Sequence, residues 1–226
     1  MILKKYKIGH ENINYDINIV RWKISNSLED YDSTINFMES EIIKIKNDQL
    51  DDLTWLLEYP SLYTAGLTAN STDLLDKDKF PVYQSKRGGK YTYHGPGQSI
   101  VYPLINLNKR EKDINKYISN LELVIIGILQ DIGIKGETNK NHHGIFVKKK
   151  NNQNYKIASI GCRFKNWVSY HGFSINRNPN LEHYSGINPC GLDNKNVTSI
   201  EDLGKNVTKN ELDIAIKENL IKILNI

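Results

Sequence analysis

A run of glycines between two predicted strands constrains this chain more than any other feature of its 226 residues. The run reads Arg-Gly-Gly-Lys-Tyr-Thr-Tyr-His-Gly-Pro-Gly-Gln over residues 87–98, and four of its twelve positions are glycine. Glycine has no Cβ, so the backbone can take a positive φ and a ligand can approach it closely. Because short β-favouring segments at 80–83 and 99–106 flank the run, we expect a binding loop, with a tight turn between strands as the alternative.

The glycine spacing argues against a nucleotide-binding loop. Gly89 and Lys90 are followed by Tyr91, where a P-loop has Ser or Thr, and the glycines do not fall as GxGxxG. We therefore expect neither a P-loop nor a Rossmann turn.

Charge and cysteine content narrow the class of protein. The net charge of +4 does not gather into a basic stripe with interleaved aromatics, and no apolar run is long enough to span a bilayer. Lysines near Met1 lack a following apolar segment, so we expect no signal peptide. Two cysteines fit a reducing compartment. We expect one cytoplasmic catalytic domain over residues 1–226 that contacts neither nucleic acid nor membrane.

Hydrophobic periodicity predicts strands grouped around helices. Apolar residues recur at helical spacing in three segments, at 31–48, 114–128 and 208–223, and Asp30 or Asp32 is placed to cap the first. A capping box, Thr208-x-x-Glu211, marks the start of the last. Strands are predicted near 6–8 and at 19–24, 80–83, 99–106, 144–147, 155–160 and 169–176, and a β-favouring run over 54–63 is broken by Pro60.

The glycine run resembles a signature of the lipoyl(octanoyl) transferases, members of the biotin and lipoate protein ligase superfamily. Two more segments, Lys-Ile-Ala-Ser-Ile-Gly at 156–161 and Ile-Asn-Pro-Cys-Gly at 187–191, are similar to the family's other signatures and follow in the expected order. The resemblance is strongest over residues 55–200. It implies an α+β fold with a mixed β-sheet flanked by helices.

The resemblance also implies a reaction. An octanoyl group would pass from octanoyl-acyl carrier protein to the lysine of a lipoyl domain, in the E2 subunits of 2-oxo acid dehydrogenases or in the glycine cleavage H protein. This is the first step of endogenous protein lipoylation, and it would need no cofactor, neither ATP nor a metal. Both protein partners are typically acidic, and the basic side chains Lys148, Lys149, Lys150, Arg163 and Lys165 are candidates for docking them. For the three lysines at 148–150, residue type and position favour the alternative of solvated loop side chains.

Two residues are candidates for the chemistry. From the residues alone, Cys190 is either a reactive thiol or a small buried side chain. Alternation along the predicted strand at 155–160 favours a solvated position for Lys156 on an open sheet face. The resemblance implies that Cys190 carries an acyl thioester and that Lys156 first stabilises its thiolate and later takes a proton from the acceptor lysine.

An acyl-binding site is implied by the same resemblance. Backbone N–H groups of Gly88, Gly89 or Gly191 are candidates to stabilise the oxyanion. The substrate-binding residues would be Arg87, Gly88, Gly89, Lys90, Tyr91, Thr92, Tyr93, His94, Ser159, Ile160, Gly161, Gly172, Phe173 and Ser174.

The chain departs from the family pattern at three places. Tyr59 stands where the family has histidine, Leu67 where it has a basic residue, and Ser174 where it has alanine. We assign no catalytic role to Tyr59, because a phenol does not transfer protons near neutral pH. Cys162 is expected to pack, and the histidines show no zinc-binding spacing, so no metal site is expected.

Three other functions remain open from the sequence. An ATP-dependent lipoate or octanoate protein ligase would not need Cys190. A cysteine hydrolase would pair Cys190 with His171 or His94 and transfer the acyl group to water. A binding module would hold a lipoyl or acyl group in the glycine loop without catalysis.

Overall fold

A computed structural model describes residues 20–139, 143–188 and 196–226. The strand expected near residues 6–8 lies outside these ranges. In chain order, the described part contains β1 (Val20–Leu28), α1 (Tyr31–Lys46), β2 (Asp52–Glu58), β3 (Leu62–Ala65), β4 (Val82–Gln84), β5 (Tyr91–His94), β6 (Gln98–Leu104), α2 (Ile114–Asp131), β7 (Glu137–Thr138), β8 (Ile145–Lys148), β9 (Asn154–Lys165), β10 (Val168–Asn176) and α3 (Lys209–Leu224).

Each helix begins at a polar cap. The Asp30 carboxylate accepts a hydrogen bond from the backbone of Ser33 at 2.8 Å, so Asp30 and not Asp32 caps α1. Asp113 caps α2 in the same way, and the predicted box of Thr208 and Glu211 opens α3. Each cap satisfies a backbone N–H that has no partner within the helix.

Most strands form one mixed sheet of seven, in the order β1-β2-β6-β10-β9-β8-β7. β1 runs parallel to β2, and the other neighbours are antiparallel. β9 and β10 are joined by two residues, Asn166 and Trp167, both at positive φ, which is the backbone of a tight hairpin turn. The predicted α+β fold with a mixed sheet and flanking helices is confirmed.

Both faces of this sheet are covered. On one face α1 packs Met38, Ile42 and Ile45 against aromatic side chains such as Trp55 and Tyr170. On the other face α2 and α3 form the larger cluster with the opposite sides of the same strands. None of the helices in the described ranges is long and apolar enough to cross a membrane.

The remaining strands form a small second sheet in the order β4-β3-β5. The sequence predicted a β-favouring run over residues 54–63 that Pro60 breaks, and the structure has β2 before this break and β3 after it. The chain turns at Pro60, so that Leu62–Ala65 leaves the large sheet and pairs with β4 and β5. Proline lacks a backbone N–H and fixes φ, which favours a change of direction there.

The glycine run is only partly a loop. Residues 91–94 form strand β5, antiparallel to β3, and the loop proper is Arg87 to Lys90. Backbone N–H groups of Gly66, Leu67 and Thr68 donate to the carbonyls of Lys90, Arg87 and Gly89. On its other side the loop meets the large sheet, where Gly88 N–H donates to the Cys162 carbonyl at 3.2 Å. The loop therefore joins the two sheets.

Candidate active site

A cavity of about 240 Å³ lies where the glycine loop crosses the large sheet. Its walls come from the loop and from β5, β6, β9, β10 and α2. The lining residues are Arg87, Gly88, Gly89, Thr92, His94, Ile100, Tyr102, Ile118, Glu122, His143, Gly144, Ser159, Ile160, Gly161, Cys162, His171, Gly172, Phe173 and Ser174.

Three residues predicted to bind substrate lie elsewhere. On β5, Thr92 and His94 face the cavity, so alternation turns Tyr91 and Tyr93 to the opposite side, into the core of the small sheet. Lys90 forms an ion pair with Asp73 at 3.1 Å. The other predicted residues, from the glycine run and from residues 159–161 and 172–174, line the cavity together.

Arg87 organises the loop from inside. Its guanidinium is 8% exposed and donates to the Thr64 hydroxyl and carbonyl and to the Lys90 and Gly88 carbonyls. A planar group with five donors suits this task, because it can hold several backbone segments at once. Arg87 thus fixes the loop against β3 while it contributes to the cavity wall.

Two glycines are needed where loop and sheet meet. Gly89 has a φ of 87°, which favours a residue without a Cβ. A Cβ on Gly161 would lie 3.1 Å from the Arg87 side chain and 3.3 Å from the Gly88 carbonyl oxygen. The close approach of β9 to the loop therefore depends on glycine at position 161.

His94 is held in a fixed orientation. Its Nδ1 lies 2.6 Å from the Gln98 side-chain oxygen, and the Gln98 amide donates to Asn176 and Tyr184. Burial lowers the pKa of His94 to about 4, and the nearby Arg87 charge acts in the same direction. The ring is therefore neutral near pH 7, and its Nδ1 donates to the Gln98 side-chain oxygen, which can only accept.

His171 has an unusual backbone for a strand residue, with a φ of 59°. Its buried ring packs against Tyr170 at 4.2 Å and Tyr102 at 5.7 Å between centroids. Burial lowers its pKa to about 3, with further lowering from the charges of Arg87 and Arg163. Near neutral pH His94 and His171 are both uncharged.

Lys156 is buried, with 3% of its surface exposed, and the prediction of a solvated face is wrong. The chain around Val197 runs parallel beside it, so that Lys156 N–H donates to Asn196 and Thr198 N–H donates to Lys156. This segment pairs with β9 along its edge, beside the start of that strand. A Cβ on the cavity residue Gly144 would lie 2.7 Å from the Lys156 Cε, which places the side chain against the cavity edge.

Cys190 and Gly191 lie outside the described residues, so their predicted roles stay predictions. Among the predicted oxyanion donors, Gly88 already donates its N–H to Cys162. Within the described ranges no three His, Cys, Asp or Glu side chains are placed to hold a metal ion.

Several cavity residues were not predicted from the sequence. Ile118 and Glu122 come from α2, whose apolar stripe was interpreted as core alone. Their spacing of four residues, with a carboxylate beside an isoleucine on one helix face, was the available signal. Ile100, Tyr102, His143 and Gly144 carried no comparable signal. Cys162 packs as expected, but it also reaches the cavity, and burial raises the pKa of its thiol to about 12.

The departures from the family pattern have different surroundings. Tyr59 is buried, and its hydroxyl donates to Tyr102 at 3.4 Å. Ser174 lines the cavity, whereas Leu67 is 70% exposed beside the glycine loop.

Of the basic residues considered for docking, Lys149 pairs with Asp202 and Lys148 with Glu137, while Arg163 and Lys165 are half-buried on β9.

Curated proteins with similar sequences carry one name. An octanoyltransferase of Bartonella tribocorum is 48% identical over 212 residues, covering 90% of this chain and 86% of the relative. One from a Wolbachia of Culex pipiens is 48% identical over 206 residues, covering 91% of this chain and all of the relative. One from Rhodospirillum rubrum is 42% identical and covers 87% and 91%.

Solved structures share the fold at low sequence identity. A bipartite lipoate protein ligase from Thermoplasma acidophilum, described together with its E2 lipoyl domain, has a TM-score of 0.70 at 12% identity and covers 92% of this chain and 85% of the other. A lipoate-protein ligase A bound with ATP has a TM-score of 0.69 at 12% identity, with coverage of 91% and 85%. A family model described as the lipoyl protein ligase A/B catalytic domain matches residues 30–221. The chain belongs to the lipoyl protein ligase A/B catalytic domain family.

Proposed function

We propose that this protein is an octanoyltransferase that moves an octanoyl group from acyl carrier protein to the lysine of a lipoyl domain, through a thioester on Cys190. One observation supports the proposal most strongly. Residues of the glycine run and of the signature at 156–161 line one cavity, and the buried Lys156 lies against the edge of that cavity. The name of the similar curated proteins supports the octanoyl group as the one transferred.

The cavity suits a short acyl chain. Apolar side chains from three elements line it, namely Ile100 from β6, Ile118 from α2, and Ile160 from β9. Its volume of about 240 Å³ is below the roughly 300–1,000 Å³ typical of sites for drug-sized ligands. Each methylene that leaves water contributes about 0.8 kcal/mol, so the chain supplies binding energy away from the reacting carbonyl.

In the first half-reaction the proton of the Cys190 thiol passes to the amine of Lys156, whose ammonium then stabilises the thiolate. The thiolate attacks the carbonyl of the octanoyl thioester, and the tetrahedral intermediate collapses with loss of the carrier's thiolate. That thiolate takes the proton back from Lys156. One thioester replaces another, so this exchange is close to balanced in energy.

In the second half-reaction an amine replaces the thiol. The uncharged acceptor lysine attacks the Cys190 thioester and gives its proton to the amine of Lys156, and the Cys190 thiolate leaves and is protonated by Lys156. An amide is more stable than a thioester, which drives transfer toward the acceptor. The burial of Lys156 supports this role, because a sheltered amine can hold a proton between the two steps without exchange with bulk water.

We propose acyl carrier protein as donor and the lipoyl domains of E2 subunits and of the glycine cleavage H protein as acceptors, in the cytoplasm. No nucleotide takes part in either half-reaction as written. Arg163 and Lys165, on the strand next to the cavity, are the candidates for contact with acidic partners.

The test is an intact-mass measurement after incubation with octanoyl-acyl carrier protein in the absence of ATP. We expect the parent to gain one octanoyl group and Cys190→Ser to gain none. Lys156→Ala should load far more slowly, by about 100-fold or more, because general acid–base catalysis contributes about 10²- to 10⁴-fold.

Addition of a lipoyl domain should then move the octanoyl group to its lysine. If the parent forms no adduct, and octanoylated lipoyl domain appears with free octanoate and ATP alone, the protein is a ligase. Release of free octanoate without any transfer to the lipoyl domain would identify a hydrolase.

A further inference from the structure

Glu122 places a carboxylate in the wall of the cavity. It lies one helical turn after Ile118 on α2, and both side chains line the same cavity. Leu121, Val124 and Ile125 on this helix enter the core, whereas Glu122 is half-buried. A carboxylate is costly in a mostly apolar cavity unless a cation approaches it.

The charges around the cavity are unevenly placed. Arg87 is held by five hydrogen bonds, three to Thr64 on β3 and two to the loop, and His94 and His171 are uncharged near pH 7. Among the described residues that line the cavity, Glu122 is the one with a carboxylate. Burial raises its pKa, and the charge of the exposed His143 opposes that rise.

Glu122 shares its cavity with residues that lie beside Lys156. His143 and Gly144 line the same cavity, and Gly144 lies against the Lys156 side chain. His143 is exposed and Glu122 is half-buried, so both reach solvent.

The acceptor lysine of the lipoyl domain brings a positive charge to the cavity. A lysine side chain has a reference pKa of about 10.4, so it arrives as an ammonium near pH 7. Removal of that cation from water is unfavourable without a partner, and a carboxylate at the entrance offsets the loss. We propose that Glu122 binds the ammonium of the acceptor lysine at the cavity entrance and directs it toward the thioester on Cys190.

This inference rests on the proposed function, and the proton balance follows from it. The ammonium loses one proton to solvent while it is held by the Glu122 carboxylate, which stays ionised. The resulting amine attacks the thioester, and its second proton passes through Lys156 to the departing Cys190 thiolate. Glu122 acts on the acceptor alone, since the octanoyl donor brings no cation to the reacting centre.

The experiment separates loading from transfer. Parent, Glu122→Gln and Glu218→Gln are loaded with octanoyl-acyl carrier protein, desalted, and mixed with a lipoyl domain or with hydroxylamine in single turnovers followed by intact mass. Hydroxylamine is uncharged near pH 7, so it discharges the thioester without an ammonium. Glu218 is exposed on α3, and its substitution makes the same change in net charge.

We expect Glu122→Gln to load octanoyl and to discharge to hydroxylamine like the parent. Its transfer to the lipoyl domain should be about 10- to 100-fold slower at low acceptor concentration, as expected for the loss of a charge-assisted hydrogen bond. Glu218→Gln should match the parent with both acceptors. Equal slowing of both acceptors, or unchanged transfer to the lipoyl domain, would overturn the role of Glu122. A parent that does not load would instead overturn the proposed function itself, before any variant is compared.

Discussion

His94 and His171 are two buried imidazoles that stay neutral because charging them would require a proton in a desolvated site close to Arg87. Their pKa values fall to about 4 and about 3. In the unfolded chain each would titrate near 6.5. Between these values the unfolded state binds more protons than the folded state, so the free energy of unfolding falls as the pH falls below 6.5.

His171→Asn should remove one part of this pH dependence. Each histidine costs about 2 kcal/mol of stability between pH 6.5 and pH 5, since one pKa unit corresponds to about 1.4 kcal/mol. Asparagine tolerates a positive φ, so the variant keeps the backbone that position 171 requires. Urea unfolding of both proteins at pH 7 and pH 5 measures the difference.

The loss of stability between pH 7 and pH 5 should be about 2 kcal/mol smaller in His171→Asn than in the parent. The same loss in both proteins would show that His171 is protonated in the folded state at pH 5.

Positions 156 and 171 show what residue patterns can and cannot predict. The signature around Lys156 identified it as a candidate, but alternation gave the wrong environment. Local alternation does not include residues 196–198, which lie far along the chain and pair with β9 at Lys156. No local pattern predicts a left-handed conformation at His171. This conformation is seen only in the folded structure, where β10 pairs with β9. The next residue, Gly172, lies so close to β6 that a Cβ there would be 2.2 Å from the Val101 carbonyl oxygen.

Gly66, the residue after β3, packs directly against the glycine loop. A Cβ at this position would lie 2.1 Å from the Gly89 carbonyl oxygen and 2.9 Å from an Arg87 nitrogen. Gly66→Ala must therefore push the loop away from β3, and we expect a loss of stability of about 1–3 kcal/mol, as for other overpacked sites. Octanoyl loading, measured by intact mass, should fall by more than tenfold.

Gly204→Ala provides the comparison. Gly204 has a φ of 77° and no atoms within 4 Å of its Cβ position, so the substitution adds backbone strain without moving the loop. It should lower the melting temperature and keep the parental loading rate. If the two variants load equally well at a temperature where both are folded, the loop is not held by Gly66.

The end of α1 offers a second prediction at the scale of elements. Gln49 N–H donates to the Lys44 carbonyl and Asp48 N–H to the Ile45 carbonyl, which is the Schellman arrangement, with Asp48 at a φ of 56°. Glycine is favoured at this position. Asp48→Gly should raise stability by about 0.5–1 kcal/mol, even though it removes an exposed ion pair with Lys109 that contributes little.

Thermal unfolding compares Asp48→Gly with Asp48→Ala. Both lose the ion pair, and only alanine keeps the cost of a Cβ at positive φ. The glycine variant should melt above the parent and the alanine variant below it. A glycine variant that melts below the parent would mean that the Lys109 pair outweighs the backbone strain.

The order of helices and most strands followed from periodicity, because long apolar patterns decide local structure. The division of the strands into two sheets did not follow from periodicity. Pro60 and Gly66 could be recognised as breaks, but the pairing of β3 with β5 depends on contacts about thirty residues apart, which a pattern of single segments does not encode. The helix α2 was predicted as a core helix, and its contribution to the cavity depends on how it lies across β9.

Across the whole molecule, the cavity is the place where the two sheets and α2 are held together. Thr92 and His94 come from the small sheet, Ile160 and Phe173 from the large one, and Ile118 from the helix layer. An acyl chain in this cavity would contact all three. A ligand that binds only the folded state stabilises it, and a covalent chain that fills the cavity acts in the same way.

Loading with octanoate should therefore raise the melting temperature, and the rise should depend on chain length. Each methylene in the cavity contributes at most about 0.8 kcal/mol, and in a chain of this size 1 kcal/mol corresponds to about 2–4 °C. The octanoyl-enzyme should melt about 5 °C or more above the unloaded protein, and a butanoyl-enzyme should show about half that rise. Differential scanning fluorimetry of the loaded and unloaded parent, with Cys190→Ser treated identically, makes the measurement. Equal shifts for the two chain lengths would mean that the acyl chain lies outside the cavity, because only a buried chain gains stability with each added methylene.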